Sequence, residues 1–284
     1  WSLDAEFGIE GEKKNFIAQF YGTEDSKIEL RSQEDVDKVV SSLKKAKFKV
    51  ADIKTGDRVK KAPLPFTTST LQQEASRRMG FQAQRTMKTA QELYEGADVA
   101  GIGTTGLITY MRTDSLRISE EARAAANEYI LSAYGEKYLP EKPRYFKSRS
   151  NAQDGHEAIR PAVPSLTPER VKSSLTSDQY KLYSLIWKRF IASLMASCVQ
   201  NTVKAEISAA KPEDRAAGKE CIFSVAGYSV KFDGFTKLYE EAKDEEKGRY
   251  LRKERTQGNF SRTFYVGDTV TEEEIAGIVA KAEE

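Results

Sequence analysis

Hydrophobic and polar positions divide the chain into three blocks. In residues 1–62, Asn15–Gly22 and Phe48–Ile53 alternate with β-branched or aromatic residues and read as strands. Between them Ser32–Ala46 reads as a helix: Ser32 caps it, Glu34 and Asp35 fill its first turn, and Val36, Val39, Val40 and Leu43 share a face. Residues 63–195 are mostly helical. Ser69 with Gln72 forms a capping-box pattern opening a helix that stops at Gly80. A second helix spans about Gln84–Glu95 before Gly96, and a third opens at Ser119 and ends at Gly135. Thr167–Pro168 is a cap followed by proline at the first helical position. About Asp178–Ser197, apolar residues from Tyr180 to Met195 recur at three- and four-residue steps, so one face is core. After residue 196 the pattern returns to β, with strands at Val203–Ser208, Cys221–Ala226 and Tyr228–Phe232 and a tight turn at Ala226-Gly227. Lys211–Lys219 and Lys243–Gly258 read as polar loops, and Glu272–Glu284, with five glutamates and one lysine, as a ragged end.

This β–α–β order predicts an α+β fold. Neither β block alone has many strands for a stable sheet, so the two are expected to form one domain, residues 1–62 with 196–284. The helical stretch 63–195 is then an insertion into it; three independent units are the alternative.

The 284 residues suffice for about two domains. With 39% hydrophobic and 31% charged residues the composition is that of a folded, water-soluble chain, and no apolar run is long enough to span a membrane. Cys198, Cys221 and the single histidine cannot make a four-ligand zinc site, and a reduced, cytosolic protein is the default. The chain starts at Trp1 inside a strand-like pattern, without Met or leader, and is expected to be an excised piece of a longer protein. Net charge is only +2, but it is uneven. Residues 63–195 hold 18 Lys+Arg and 14 Asp+Glu, against 27 and 29 elsewhere, so the helical block is the expected site for a polyanion.

Candidate chemistry gathers in three stretches. Gly106–Ser115 (GLITYMRTDS) runs from apolar Leu107 and Ile108, a short buried strand, into a polar cluster. The phenol of Tyr110 is a weak nucleophile at neutral pH unless a cation steadies the phenolate and the attacked phosphate. Arg112, two residues on, serves either need if the segment is extended, with Asp114 to orient it. The alternative is a buried tyrosine beside a structural ion pair. His156–Pro161 (HEAIRP) carries the only histidine, and on one helical turn His156 and Arg160 would share a face. Histidine there can relay a proton or hold a phosphate oxygen; a surface or capping histidine is the alternative. In the third stretch, Pro63–Glu74, hydroxyls meet a helix N-terminus, which suits an anion, although an ordinary N-cap explains it equally.

GLITYMRTDS, HEAIRP and PFTTSTLQQEASRRMGF, with LYSLIWKRF at Leu182–Phe190 and FDGFTK at Phe232–Lys237, resemble the bacterial type IA DNA topoisomerases over essentially the whole chain. Met111 and Glu157 favour the topoisomerase I branch over topoisomerase III. The resemblance implies that Tyr110 attacks a DNA phosphodiester and becomes a 5′-phosphotyrosine, that Arg112 positions tyrosine and phosphate, and that His156 assists beside them. Thr109, Asp114, Glu157 and Arg160 match supporting or DNA-binding positions. It further implies relaxation of negatively supercoiled DNA by strand passage and religation without ATP. The partner is single-stranded or underwound DNA, there is no membrane partner, and the location is the cytoplasm at the bacterial nucleoid. The family's Toprim domain and its acidic Mg²⁺ cluster, together with the C-terminal domains, match nothing in this sequence. The expected remainder is the arch, a β-rich hinge domain carrying the tyrosine-bearing helical domain, incomplete as a catalyst. A single-stranded-DNA-binding module without chemistry and a topoisomerase III-type decatenase are the alternatives.

Overall fold

The computed structural model describes residues 1–8, 15–146, 156–216 and 218–239. They fall into two compact units, one of residues 1–58 and 200–231, the other of residues 59–199 and 232–239. The stretch 232–239, expected with the β-rich portion, belongs to the second unit. The expected loop Lys243–Gly258 and the end Glu272–Glu284 lie outside the described residues.

The first unit is built on a five-stranded sheet. Its strands are β1 (Asp4–Phe7), β2 (Phe16–Gly22), β3 (Lys47–Lys60), β6 (Cys198–Ala210) and β7 (Cys221–Phe232), in the order β1-β2-β7-β6-β3. β1 and β2 are antiparallel with Phe7 opposite Phe16, and β2 runs antiparallel to β7 with Gln19 opposite Ser224. Alternation along β2 buries Ala18 and Phe20 and exposes Ile17, Gln19 and Tyr21. The buried face meets helix α1 (Gln33–Leu43), whose Val36 and Val40 join Leu3, Phe7, Phe20, Phe48, Ile207 and Phe223 in one core. Ser32 caps α1 in a reciprocal box with Asp35. Two elements differ from the sequence reading. β7 continues through Gly227 as one strand instead of turning there, because pairing with neighbouring strands outweighs the local turn preference of Ala226-Gly227. Within Lys211–Lys219, Pro212–Ala216 forms the short helix α7, started by proline and acidic Glu213 and Asp214.

The second unit packs around α6 (Ser177–Leu194). Tyr183, Ile186, Trp187, Phe190 and Ile191 of this helix are buried against α2 (Thr68–Met79), α3 (Ala83–Glu95), α4 (Glu120–Tyr134) and α5 (Pro168–Val171). Two of its buried aromatic side chains are hydrogen-bonded: Tyr183 Oη donates to Leu166 O (2.6 Å) and Trp187 Nε1 to Pro164 O (2.8 Å). Burial holds the Tyr183 phenol far above its ordinary pKa. Tyr239 donates to Glu74 on α2 (2.9 Å) and accepts from Arg189 on α6 (3.1 Å), and burial pushes its pKa up to about 12. Helix ends follow the sequence at Ser119, Gly96, Gly135 and Thr167, and Gly80 closes α2 in the left-handed region at φ 66°. The cap of α2 is different from the expected Ser69–Gln72 box. Thr67 is the N-cap, in a reciprocal box with Thr70. A hairpin that the pattern did not reveal, β4 (Ala97–Val99) with β5 (Gly103–Thr105), joins α3 to the tyrosine segment.

Candidate functional site

The tyrosine segment is positioned by three sets of backbone contacts within the second unit. It begins at Gly106, where a Cβ would lie 2.7 Å from Tyr94 O, so only glycine lets the chain pass so close to the end of α3. The next residue fastens there, Leu107 N–H donating to Leu93 O at 2.8 Å. Leu107 and Ile108 are buried, and Ile108 bridges Pro161 in antiparallel fashion. Thr109 then locks the pairing from both sides. Its N–H donates to Arg160 O (2.9 Å), its hydroxyl donates to Ala158 O (2.7 Å), and it accepts from Arg160 N–H (3.0 Å). Beyond Tyr110, Thr68 on α2 takes hold: its hydroxyl donates to Met111 O (2.7 Å) and accepts from Thr113 N–H (2.9 Å).

This anchoring sets which side chains face outward. Met111, Thr113 and Ser115 are buried, while Arg112 and Asp114 between them are exposed. Tyr110 is 37% exposed. Its ring lies 5.7 Å from that of His156, tilted by 30°, and 5.5 Å from that of Tyr94, nearly edge-on at 67°. Next to His156 opens a cavity of about 480 Å³ lined by Thr67, Thr68, Ser69, Arg112, Thr113, Asp114 and His156. The three predicted stretches therefore converge. The N-terminal turn of α2, which holds no acidic residue, faces the same space as Arg112 and His156.

The supporting residues are arranged differently from the sequence reading. His156–Pro161 is not a helical turn. Ile159 pairs with Phe66, Ala158 N–H donates to Arg117 O, and Arg160 pairs with Thr109, all of which require extended backbone. His156 lines the cavity described above and Arg160 does not. The Arg160 guanidinium turns inward, donating from Nε (3.0 Å) and Nη2 to Glu157 Oε2 and from Nη1 to Pro161 O (2.9 Å). Glu157 Oε1 is buried without a hydrogen-bond partner among the described residues. Asp114, expected to orient Arg112, forms no ion pair with it, and among the described residues Arg112 has no hydrogen-bond or ion-pair partner. Tyr94 was not found by sequence reasoning. It lies 16 residues before Tyr110 at the end of α3, and only the close pass at Gly106 brings the rings together.

Chemically, the site offers a half-exposed phenol, an exposed guanidinium, an imidazole and a capped helix N-terminus. That set suits a phosphodiester better than a carboxylate or a sugar. No helix among the described residues is long and apolar enough to cross a membrane.

Comparison with known proteins agrees with this chemistry. The family model described as DNA topoisomerase matches residues 1–274. Among solved structures, full-length topoisomerase I from Thermotoga maritima is similar, with a TM-score of 0.61 and 32% sequence identity. The match covers 86% of this chain and 35% of that protein, so the chain spans about a third of its relative's length. A family match over nearly all of the sequence, on an α+β fold that aligns with a topoisomerase I, establishes that the chain belongs to the bacterial type IA DNA topoisomerases.

Proposed function

We propose that this chain carries the nucleophile of a topoisomerase I that relaxes negatively supercoiled DNA through a transient single-strand break. The observation that carries the reading is the exposed Tyr110 phenol, set between His156 and Tyr94 beside a cavity lined by Arg112, which has no ion-pair partner among the described residues. In the proposed step the Tyr110 oxygen forms a bond to the scissile phosphorus and the bond from phosphorus to the 3′ oxygen breaks. The phenol proton leaves, the departing 3′ oxygen takes up a proton, and the 5′ end stays on the tyrosine. A phenol with a pKa near 10 needs help at neutral pH. Arg112 supplies it by neutralising the phosphate, worth roughly 10²–10³ in rate for a positioned donor at a charged transition state. His156, stacked beside the nucleophile, holds a phosphate oxygen or moves the proton. Thr109, Glu157 and Arg160 keep the segment in register. Because the phosphotyrosine preserves the energy of the broken bond, religation reverses the step and needs no ATP once the second strand has passed.

Among the described residues no group of three His, Cys, Asp or Glu side chains could hold a metal ion. We propose that cleavage by this chain requires a partner segment that brings an acidic cluster. The β-rich unit is proposed to act as the hinge on which the tyrosine-bearing unit moves, and the cytoplasmic nucleoid as the place of action.

The test mixes the chain with a Toprim-bearing segment of a relative, Mg²⁺ and a 5′-unlabelled, 3′-labelled oligonucleotide. A covalent adduct is expected with the wild-type chain, none with Tyr110→Phe, and at least tenfold less with Arg112→Ala. An adduct that persists in Tyr110→Phe would overturn the assignment.

A further inference from the structure

The sheet of the first unit has two faces, and only one is covered by α1. On the other, β2 exposes Ile17 at 62% and Tyr21 at 39%. The register Gln19 opposite Ser224 puts Ser224 on this face, and alternation along β7 then adds Tyr228 and Val230, 56% and 55% exposed. Two large aromatic rings on an open, water-facing sheet are unusual unless they meet something.

Both rings are accompanied by cations from neighbouring strands. Lys204 Nζ on β6 lies 5.6 Å above the Tyr21 ring, and the Arg58 guanidinium on β3 lies 5.1 Å from the Tyr228 centroid. The two cations differ in what neutralises them. Lys204 is paired with Glu206 at 2.6 Å. Arg58 has no carboxylate partner among the described residues; instead the side-chain oxygen of Gln200 accepts from its Nε (2.9 Å) and Nη2 (2.7 Å). That amide fixes the guanidinium over the ring without cancelling its charge. From the position opposite Tyr21 to Tyr228 is five to six residues of β7, roughly 18 Å at ~3.3 Å per residue. This span accommodates a few nucleotides of extended single strand.

We propose that this face is a second binding surface for single-stranded DNA, centred on Tyr228 and Arg58 and ending at Tyr21. It rests on the reading that DNA is the substrate but uses no residue of the tyrosine site. Bases stack on the exposed rings or on the guanidinium plane, phosphates meet the uncompensated charge of Arg58, and neither contact reads sequence. A folded protein partner would gain little from an ordered, uncompensated arginine held flat over a ring, whereas a polymer carrying both π-faces and phosphates uses both.

The test uses the full chain and a fluorescein-labelled oligo-dT containing 5-iododeoxyuridine. Photocrosslinked peptides are mapped by mass spectrometry and affinity is read by anisotropy from 50 to 200 mM salt. The wild-type chain is expected to crosslink at Tyr228 or Tyr21. Those crosslinks should persist in Arg112→Ala, which disables the tyrosine site alone. The double variant Tyr21→Thr with Tyr228→Thr, conservative for a strand, should lose them and bind at least about fivefold more weakly with an unchanged melting curve. Arg58→Gln should reduce the slope of log affinity against log salt by about one. Crosslinks confined to residues 59–199, or unchanged affinity in the double variant, would overturn the proposal. So would self-association in sedimentation that this variant abolishes without any crosslink, which would make the face a protein interface. Failure of the adduct test at Tyr110 with crosslinks retained at Tyr228 would instead sink the nucleophile reading alone.

Discussion

The Arg160–Glu157 pair permits a quantitative prediction. Both side chains are nearly out of water, 11% and 15% exposed, and Arg160 spends its donors on Glu157 Oε2 and Pro161 O. Glu157 Oε1 is already without a partner among the described residues. In Arg160→Met the stem of the side chain survives but the carboxylate is left buried with neither oxygen paired. Breaking a fully buried pair from one side costs roughly 3–5 kcal/mol, and the residual exposure here lowers that to about 3 kcal/mol. At roughly 2–4 °C per kcal/mol for a unit of this size, the melting point of the helical unit should fall by about 6–12 °C. The double variant Glu157→Met with Arg160→Met removes both charges and keeps volume, so it should recover at least half of that loss. Urea and thermal unfolding followed by circular dichroism measure all three proteins against wild type. A loss below about 1 kcal/mol in the single variant, or a double variant as unstable as the two singles summed, would refute the claim that this pair pins the segment beside Tyr110.

Two further outcomes follow from single positions. Gly106→Ala puts a methyl 2.7 Å from the backbone oxygen of Tyr94, so the segment must shift; a loss of roughly 1–3 kcal/mol in urea unfolding is expected, with Tyr110 displaced from its two ring neighbours. Tyr239, with its pKa raised by burial to about 12, is neutral in the folded chain at pH values where the unfolded chain has ionised it. Its contribution is therefore full below about pH 10 and is lost as pH rises toward about 12; the urea midpoint should fall less steeply between pH 9.5 and 11.5 in Tyr239→Phe than in wild type.

Much of the architecture was legible in the sequence where local chemistry decides it. Ser32, Ser119 and Thr167 cap the helices they precede, and Gly80 stops α2, because an orphan N–H or an unsatisfied carbonyl finds its partner within a few residues. The gathering of GLITYMRTDS, HEAIRP and the Thr67–Ser69 turn around one cavity rested on resemblance, and the distances now give it a geometry. What escaped was decided by partners far away in sequence. His156–Arg160 has helical spacing, yet Phe66, Thr109 and Arg117 claim its backbone groups and draw it out straight. Ala226-Gly227 has turn composition, yet the sheet carries β7 straight through it. Ser69 fits the capping pattern because it stands three residues before Gln72, but Thr67 has Thr70 to reciprocate. Tyr94 carried no local signal at all, since its place beside Tyr110 depends on one glycine, twelve residues after it and four before Tyr110, being small enough to let two segments touch.

The backbone bonds on either side of Tyr110 also bear on what would follow the proposed cleavage. Leu107 is tied to Leu93 and Ala162, Thr109 to Arg160, and Thr113 to Thr68. A DNA end attached to this tyrosine would pull on the protein whenever the helix relaxes its twist. That force would not fall on one flexible loop. It would be shared in shear among α3, the extended segment 158–162 and the start of α2, so the attachment point behaves as a cleat with three lines made fast to it.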